Sequence, residues 1–293
     1  MVLITFEIEI RPGKKGEYKL KATKMFMLIL SLLMVTSLLS RALAAETDKN
    51  DTEALAKASQ NPVSTLISVP FENNYTINNG TENSVVNTLN IKPVIPMSFG
   101  KNWNLINRTI VPVVYQEERF PEENNRFGLG DITYQGFLSP KKTGKLIWGI
   151  GPQLGLPTGM DRLTSNQWTL GPSAVVLAMP GHWVVGALVS QVWDFGGGYE
   201  PSQDVKFTSI QYFINYNMKG GWYLTTAPTI TKNWKAEDSG DKWTVPFGGG
   251  VGRVFKIGKQ HVNLKAVGYY SVEKPQYASD WNLQTQLTFM FPK

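Results

Sequence analysis

Apolar and polar residues alternate one by one through most of the chain beyond residue 62. In "WNLQTQLTFMF", Trp281, Leu283, Thr285, Leu287, Phe289 and Phe291 fall on one parity, and Asn282, Gln284, Gln286, Thr288 and Met290 on the other. A strand points successive side chains to opposite faces, so this pattern predicts a strand with one apolar and one polar side. "LIWGIGPQLGL" repeats it, with Leu146, Trp148, Ile150, Leu154 and Leu156 opposed to Gly149, Gly151, Gln153 and Gly155. In "WYLTTAPTITKNW", Trp222, Leu224, Ile230 and Trp234 oppose Tyr223, Thr225, Ala227, Thr229 and Thr231. Residues 165–193 carry no Lys, Arg, Asp or Glu, yet Pro180-Gly181 interrupts them. A helix interior does not accept that pair. Each half has the length of a tilted membrane strand, about 9–11 residues, so the run predicts a hairpin.

Twelve strands are expected, centred near residues 67, 91, 109, 132, 151, 173, 188, 211, 228, 249, 266 and 286. The connections alternate between long, such as "ENNYTINNGTENS" and "QEERFPEENNRF", and short, such as "SFGKN" and "PGH". A soluble sandwich would also alternate. Its wet face would carry Lys and Glu, whereas the polar face here is Gly, Thr, Asn, Gln and Ser. Charge also sorts by connection: the six long ones hold 14 acidic and 6 basic residues, while the five short ones hold seven Lys and no acid. Aromatic residues recur at strand ends, as in the girdles of membrane barrels. The expected architecture is all-β, a transmembrane antiparallel up-and-down barrel of about 12 strands over residues 63–293, in a bacterial cell outer membrane.

"KMFMLILSLLMVTSLLSRALAA" has a basic start, an apolar stretch and a small-x-small end at Ala42–Ala44, the plan of a secretory signal peptide. Residues 1–44 are assigned to it, with an over-extended start and Met25 or Met27 as initiator. Residues 45–62 are expected to be a flexible N-terminal segment or a small plug, with a helical turn around Ala54–Ala58. The leader holds seven basic and three acidic side chains, so it supplies +4 of the formal +6. The remaining balance of about +2 gives no argument for nucleic acid. With no Cys there is neither a disulfide framework nor a thiolate metal site.

The segments "QNPVSTLISVPFENN", "LNIKPVIPMSF", "WNLINRTIVPVVYQ", "FLSPKKTGKLIWGIGPQLGLPT", "GPSAVVLAMPGHWVVGALVSQVWDF", "FINYNMKGGWYLTTAPTITKNW" and "LQTQLTFMFPK" resemble a family of bacterial outer-membrane proteins named for the MetA pathway of phenol degradation. Its members also carry the labels neuromedin U and transporter. The resemblance covers nearly all of residues 59–293. It implies an outer-membrane barrel with a transport role, and it implies no substrate and no catalytic residue.

Candidate chemistry is sparse. His182 and His261 both fall at short turns, on the periplasmic side of such a barrel, and no Ser motif accompanies either. Zinc needs three or four clustered ligands. The Gly-rich runs "GIGPQLG" and "GGGVGR" open no helix, as a phosphate cradle must. Inner-face glycine that makes room, or allows a bulge, accounts for them. "AEDSGDK" lacks the spacing of a calcium loop. No catalytic residue, metal or cofactor is therefore expected.

Five in-strand charges, Lys92, Arg108, Asp131, Asp194 and Lys265, are expected to point inward. An unpaired buried charge is costly, so they must pair or meet water. Arg108 and Lys92 would set a constriction with Asp131 as counter-charge. Lys206 and Lys232 would face outward near the outer rim and snorkel to lipid headgroups. The last strand, with Trp281, Leu287, Phe289 and Phe291, is expected to be the assembly signal for the barrel-insertion machinery. The functional expectation is a passive channel for small, aromatic or hydrophobic solutes. The alternative is a non-transporting structural or surface-interaction barrel. A hydrolase is disfavoured by the histidine positions.

Overall fold

The computed structural model describes residues 49–160, 163–198 and 204–292. The signal-peptide reading of residues 1–44 lies outside them. Among the described residues, twelve antiparallel strands form one sheet, each paired with its sequence neighbours. They are β1 (Ile67–Asn79), β2 (Ser84–Ile91 and Val94–Phe99), β3 (Trp103–Gln116), β4 (Arg126–Leu129 and Ile132–Pro140), β5 (Leu146–Leu156) and β6 (Gln167–Ala178). Then come β7 (Trp183–Gly197), β8 (Lys206–Asn217), β9 (Trp222–Thr226 and Thr229–Asn233), β10 (Trp243–Ile257), β11 (Gln260–Glu273) and β12 (Trp281–Phe291). β1 pairs with β12 from Ile67 opposite Phe291 to Ile77 opposite Trp281, which closes the barrel. Closure leaves no unpaired edge, a requirement for backbone in lipid.

Three strands are broken, at Lys92-Pro93, Gly130-Asp131 and Ala227-Pro228. Two of the breaks contain proline, which cannot donate to a strand ladder. Across the Gly130-Asp131 break the pairing offset changes by one residue, from Ile110 opposite Thr133 to Val113 opposite Leu129. That is the mark of a bulge.

Parity decides which side chains meet lipid. Leu146 (60%), Ile150 (55%), Leu224 (53%) and Leu283 (54%) are exposed although aliphatic, a surface that suits hydrocarbon and not water. No helix among the described residues is long and apolar enough to cross a membrane, so the crossing is made by strands. Aromatic contacts mark both rims. Trp103 meets Trp148 at 5.9 Å and Trp183 meets Tyr216 at 4.8 Å near the short turns. Tyr270 meets Trp281 at 5.0 Å near the long loops. Lys232 Nζ lies 3.6 Å from the Trp234 ring centroid, with Lys206 Nζ at 5.4 Å from the same ring.

The first strand is longer than the sequence suggests. The run "ENNYTINN" belongs to β1, and only residues 80–83 connect it to β2. Ile67, Val69, Phe71, Tyr75 and Ile77 keep the apolar parity, which Asn73 alone interrupts. The amide-rich other parity is satisfied across strands: Asn74 Oδ1 accepts from Asn282 Nδ2 at 3.2 Å and from Gln284 Nε2 at 3.0 Å. At the tip, Asn78 Nδ2 donates to Asp280 Oδ2 at 2.8 Å, and Lys274 Nζ lies 3.3 Å from Oδ1. The Asn78 hydrogen bond and the Lys274 charge hold this loop carboxyl below the usual range.

Of the segment before the barrel, expected to be flexible or a small plug, residues 49–62 form an ordered helix and its end inside the barrel. Helix α1 (Lys49–Ser59) carries "EALAKAS", a run of strong helix formers with Lys57 in its last turn. Asn61 and Pro62 end it: Pro62 cannot continue the ladder, and Asn61 Oδ1 accepts from Val63 N at 2.9 Å. The helix lies against the barrel's inner wall. Ala56 is buried with Leu66, Tyr223, Val254 and Met290. Val63 joins a second cluster with Ile106, Phe137, Val175, Leu177, Val184, Leu188 and Phe213. Each fully buried aliphatic chain of this kind contributes about 1.5–3 kcal/mol.

Polar contacts fix which end is plugged. Lys57 Nζ donates to the Gly181 carbonyl at 2.6 Å. Gln60 and Asn217 exchange two amide hydrogen bonds, of 2.9 and 3.1 Å. Asn263 Nδ2 donates to Ser59 Oγ at 3.1 Å. Gly181 and Asn217 adjoin short turns, so α1 fills the short-turn end, the periplasmic one in barrels of the outer membrane. The room expected beside Gly149 is likewise occupied, since a Cβ there would meet Val63 Cγ1 at 2.9 Å.

Candidate functional site in the barrel lumen

Above the plug, one row of inward positions runs across neighbouring strands. Lys265 on β11 stands opposite Gln286 on β12, and Gln286 stands opposite Glu72 on β1. Lys92 enters from the break in β2, where its backbone N–H donates to the Pro70 carbonyl at 2.9 Å. Its Nζ lies 2.5 Å from Glu72 Oε1, and Asn74 Nδ2 donates to the same oxygen at 3.2 Å. Arg108 on β3 stands opposite Val94 and Gln135. Gln135 Nε2 in turn donates to Gln153 Oε1 at 2.7 Å, which extends the polar row to β5.

These side chains line a cavity of about 160 Å³. Its floor is the end of the plug, with Ala58, Ser59 and Gln60. Leu66, Val94, Phe213 and Ala227 add apolar side chains from the plug's end, β2, β8 and β9, and Tyr223, Thr225 and Asn263 add polar atoms. Tyr223 is fixed by its hydroxyl, which donates to Asn263 Oδ1 at 2.8 Å. Three cations, Lys92, Arg108 and Lys265, thus share a cavity with one carboxylate, Glu72, and all three lie within electrostatic reach of it. Arg108 Nη1 is buried and has no hydrogen-bond partner among the described residues. A guanidinium nitrogen left that way costs free energy until water or a ligand meets it.

The structure brings together Lys92, Arg108 and Lys265, and it separates Asp131 and Asp194 from them. Asp131 accepts from Gly159 N at 2.9 Å and from Asn166 N at 3.0 Å, so it ties down the long loop after β5. Asp194 Oδ1 accepts from Val205 N at 2.7 Å and ties the loop after β7. Neither lines the cavity. The carboxylate that stands among these cations is Glu72, and not Asp131 as expected, because loop backbone N–H groups hold the Asp131 oxygens. Glu72 escaped the sequence reading because "ENNYTINN" resembles a loop in composition. The apolar parity from Ile67 to Ile77 was the signal that places Glu72 inward.

The remaining expectations can be placed as well. Trp281, Leu287, Phe289 and Phe291 share the outward parity of β12, and Phe289 packs edge-on against Phe71 at 6.0 Å. His182 lies in the turn before β7, with its ring 5.9 Å from Tyr216, and His261 lies at the start of β11. Among the described residues no group of three or more His, Asp or Glu side chains could hold a metal ion.

Residues 70–208, from β1 into β8, match the family model described as "Putative MetA-pathway of phenol degradation", the family the sequence resembles. The crystal structure of an outer membrane channel from Pseudomonas putida F1 superposes with a TM-score of 0.61 at 18% identity. It covers 84% of this chain and 100% of that one. The β domain of the Bordetella autotransporter BrkA gives 0.43 at 13% identity, over 78% and 100% of the two chains. Outer membrane phospholipase A from Escherichia coli gives 0.40 at 13%, over 77% and 92%. No curated protein matches the chain in sequence. The likeness to the Pseudomonas barrel is one of fold: a closed twelve-stranded barrel of the bacterial outer membrane.

Proposed function

We propose that this outer-membrane barrel, matched over residues 70–208 by a family named for phenol degradation, is a passive channel for small solutes. The observation that carries the reading is the charged cavity. A barrel serving only as a structural wall gains nothing from three cations against one carboxylate in its lumen, because unpaired buried charge destabilises. A conducting path needs such groups wet and spaced along the wall. The apolar side chains of Leu66, Val94 and Phe213 suit solutes with a small aromatic or aliphatic body. The Pseudomonas relative in fold is itself an outer membrane channel, which supports the same reading.

Planar-bilayer recording tests it. The wild-type barrel is expected to conduct weakly, since α1 narrows the periplasmic end. Glu72→Gln removes the one carboxylate of the cavity and is expected to move the reversal potential in a salt gradient toward anions. A barrel that never conducts, and whose deletion leaves small-solute uptake unchanged, would instead support a structural or surface-interaction role.

The insertion machinery belongs to the same proposal. The outward parity of β12, ending in Phe289 and Phe291, is the strand it would recognise. The double variant Phe289→Ala, Phe291→Ala is expected to leave unassembled, protease-sensitive protein in cells. The same variant should still fold slowly in detergent, because β12 keeps its backbone pairing with β1. Normal insertion in cells would remove the assignment.

A further inference from the structure

The cavity above α1 is unbalanced in charge, and its lining mixes polar and apolar side chains. Glu72 neutralises one cation, and its contact with Lys92 at 2.5 Å identifies which. That leaves Arg108 and Lys265 without an ion-pair partner among the described residues, and Arg108 Nη1 without any hydrogen-bond partner. Both line the same space. A planar guanidinium presents paired N–H groups that fit a carboxylate, and the Lys265 ammonium, entering the same cavity from β11, adds a second charge-assisted donor. The same cavity is lined by Leu66, Val94, Phe213 and Ala227, apolar side chains contributed by the plug's end, β2, β8 and β9.

We infer that this cavity is a binding site for a small organic carboxylate, held by Arg108 and Lys265 with its carbon body against the apolar side chains. The inference deepens the channel reading and rests on it for the route by which the anion arrives. Inorganic phosphate or chloride would satisfy the cations and leave the apolar side chains uncovered. A neutral phenol-like solute would cover the apolar side chains and leave Arg108 Nη1 unmet. A carboxylate with a short hydrocarbon body meets both requirements. The Glu72–Lys92 pair stands between Lys265 and Arg108 in the same row, so the cavity keeps a surplus of two positive charges, and the Glu72 carboxylate disfavours a ligand with a second anionic group.

Isothermal titration calorimetry on the full barrel in detergent tests the inference, with benzoate, benzyl alcohol and inorganic phosphate as separate titrants. Benzoate is expected to bind, and benzyl alcohol and phosphate to bind at least tenfold more weakly, the scale of one lost charge-assisted hydrogen bond. Arg108→Gln and, independently, Lys265→Gln should each weaken benzoate by about tenfold or more. Heat-modifiable gel mobility checks that each variant remains folded. Equal affinity for benzoate and benzyl alcohol would overturn the inference, as would tighter binding of phosphate or an unchanged benzoate affinity in both variants. A barrel that binds benzoate but never conducts would keep the site and remove the channel. A barrel that conducts and does not bind benzoate would do the reverse.

Discussion

Deleting residues 49–61 is expected to raise single-channel conductance several-fold while leaving a heat-modifiable barrel. The helix and its cap fill the periplasmic end through two kinds of contact. Ala56 packs with Tyr223, Val254 and Met290, and Lys57, Ser59 and Gln60 hydrogen-bond the wall near the short turns. None of these contacts holds one wall strand to another. The wall is held by pairing of each strand with its neighbours from β1 round to β12, so it should survive the deletion. What is lost is the obstruction, and Asn217 and Asn263 would meet water in its place. Bilayer conductance of the deleted and full-length chains, each refolded in the same detergent, measures the effect. Equal conductance would mean that the path, if any, avoids the plugged end. An increase accompanied by loss of heat-modifiability would mean that the helix is part of the barrel's stability and not a throttle.

Gly151→Val is expected to abolish assembly. A Cβ at this position would sit 1.7 Å from the Gly136 carbonyl oxygen, so backbone must move, not a side-chain tip. β4 and β5 already pair irregularly here, with contacts at Gln135 opposite Gln153 and at Leu138 opposite Ile150 and none between. Overpacking of this kind costs about 1–3 kcal/mol even where side chains can shift, and more where they cannot. Little folded barrel should therefore reach the outer membrane. Gly268→Ala is the control: it lies in β11, nothing stands within 4 Å of its added Cβ, and its backbone is ordinary. That variant should fold at least as well as the parent, since alanine reduces the freedom of the unfolded chain. Similar membrane levels for the two variants would show that the close approach of Gly151 to Gly136 is not needed for assembly.

The chain's own pattern determined the wall. Period-two alternation is a local property, because each residue's side depends only on its neighbours' backbone. It therefore located eleven strand centres well and gave the outward set of Leu146, Ile150, Leu224 and Leu283. It faltered at β1, where Asn and Thr dilute the apolar parity and composition imitates a loop. The inner face is a different problem. Which inward residues meet is fixed by strand register and by closure of β1 on β12, and neither is written in any one segment. Lys92, Arg108 and Lys265 come from β2, β3 and β11, and only the closed sheet brings Glu72 among them. Asp131 has the right parity, yet a one-residue bulge and the folded loop after β5 claim its oxygens. Helix formers at 54–58 announced a helix in the plug, but not its place. A short amphipathic segment has no packing partner of its own, and the lumen's shape and the amides at Asn217 and Asn263 decide where it rests.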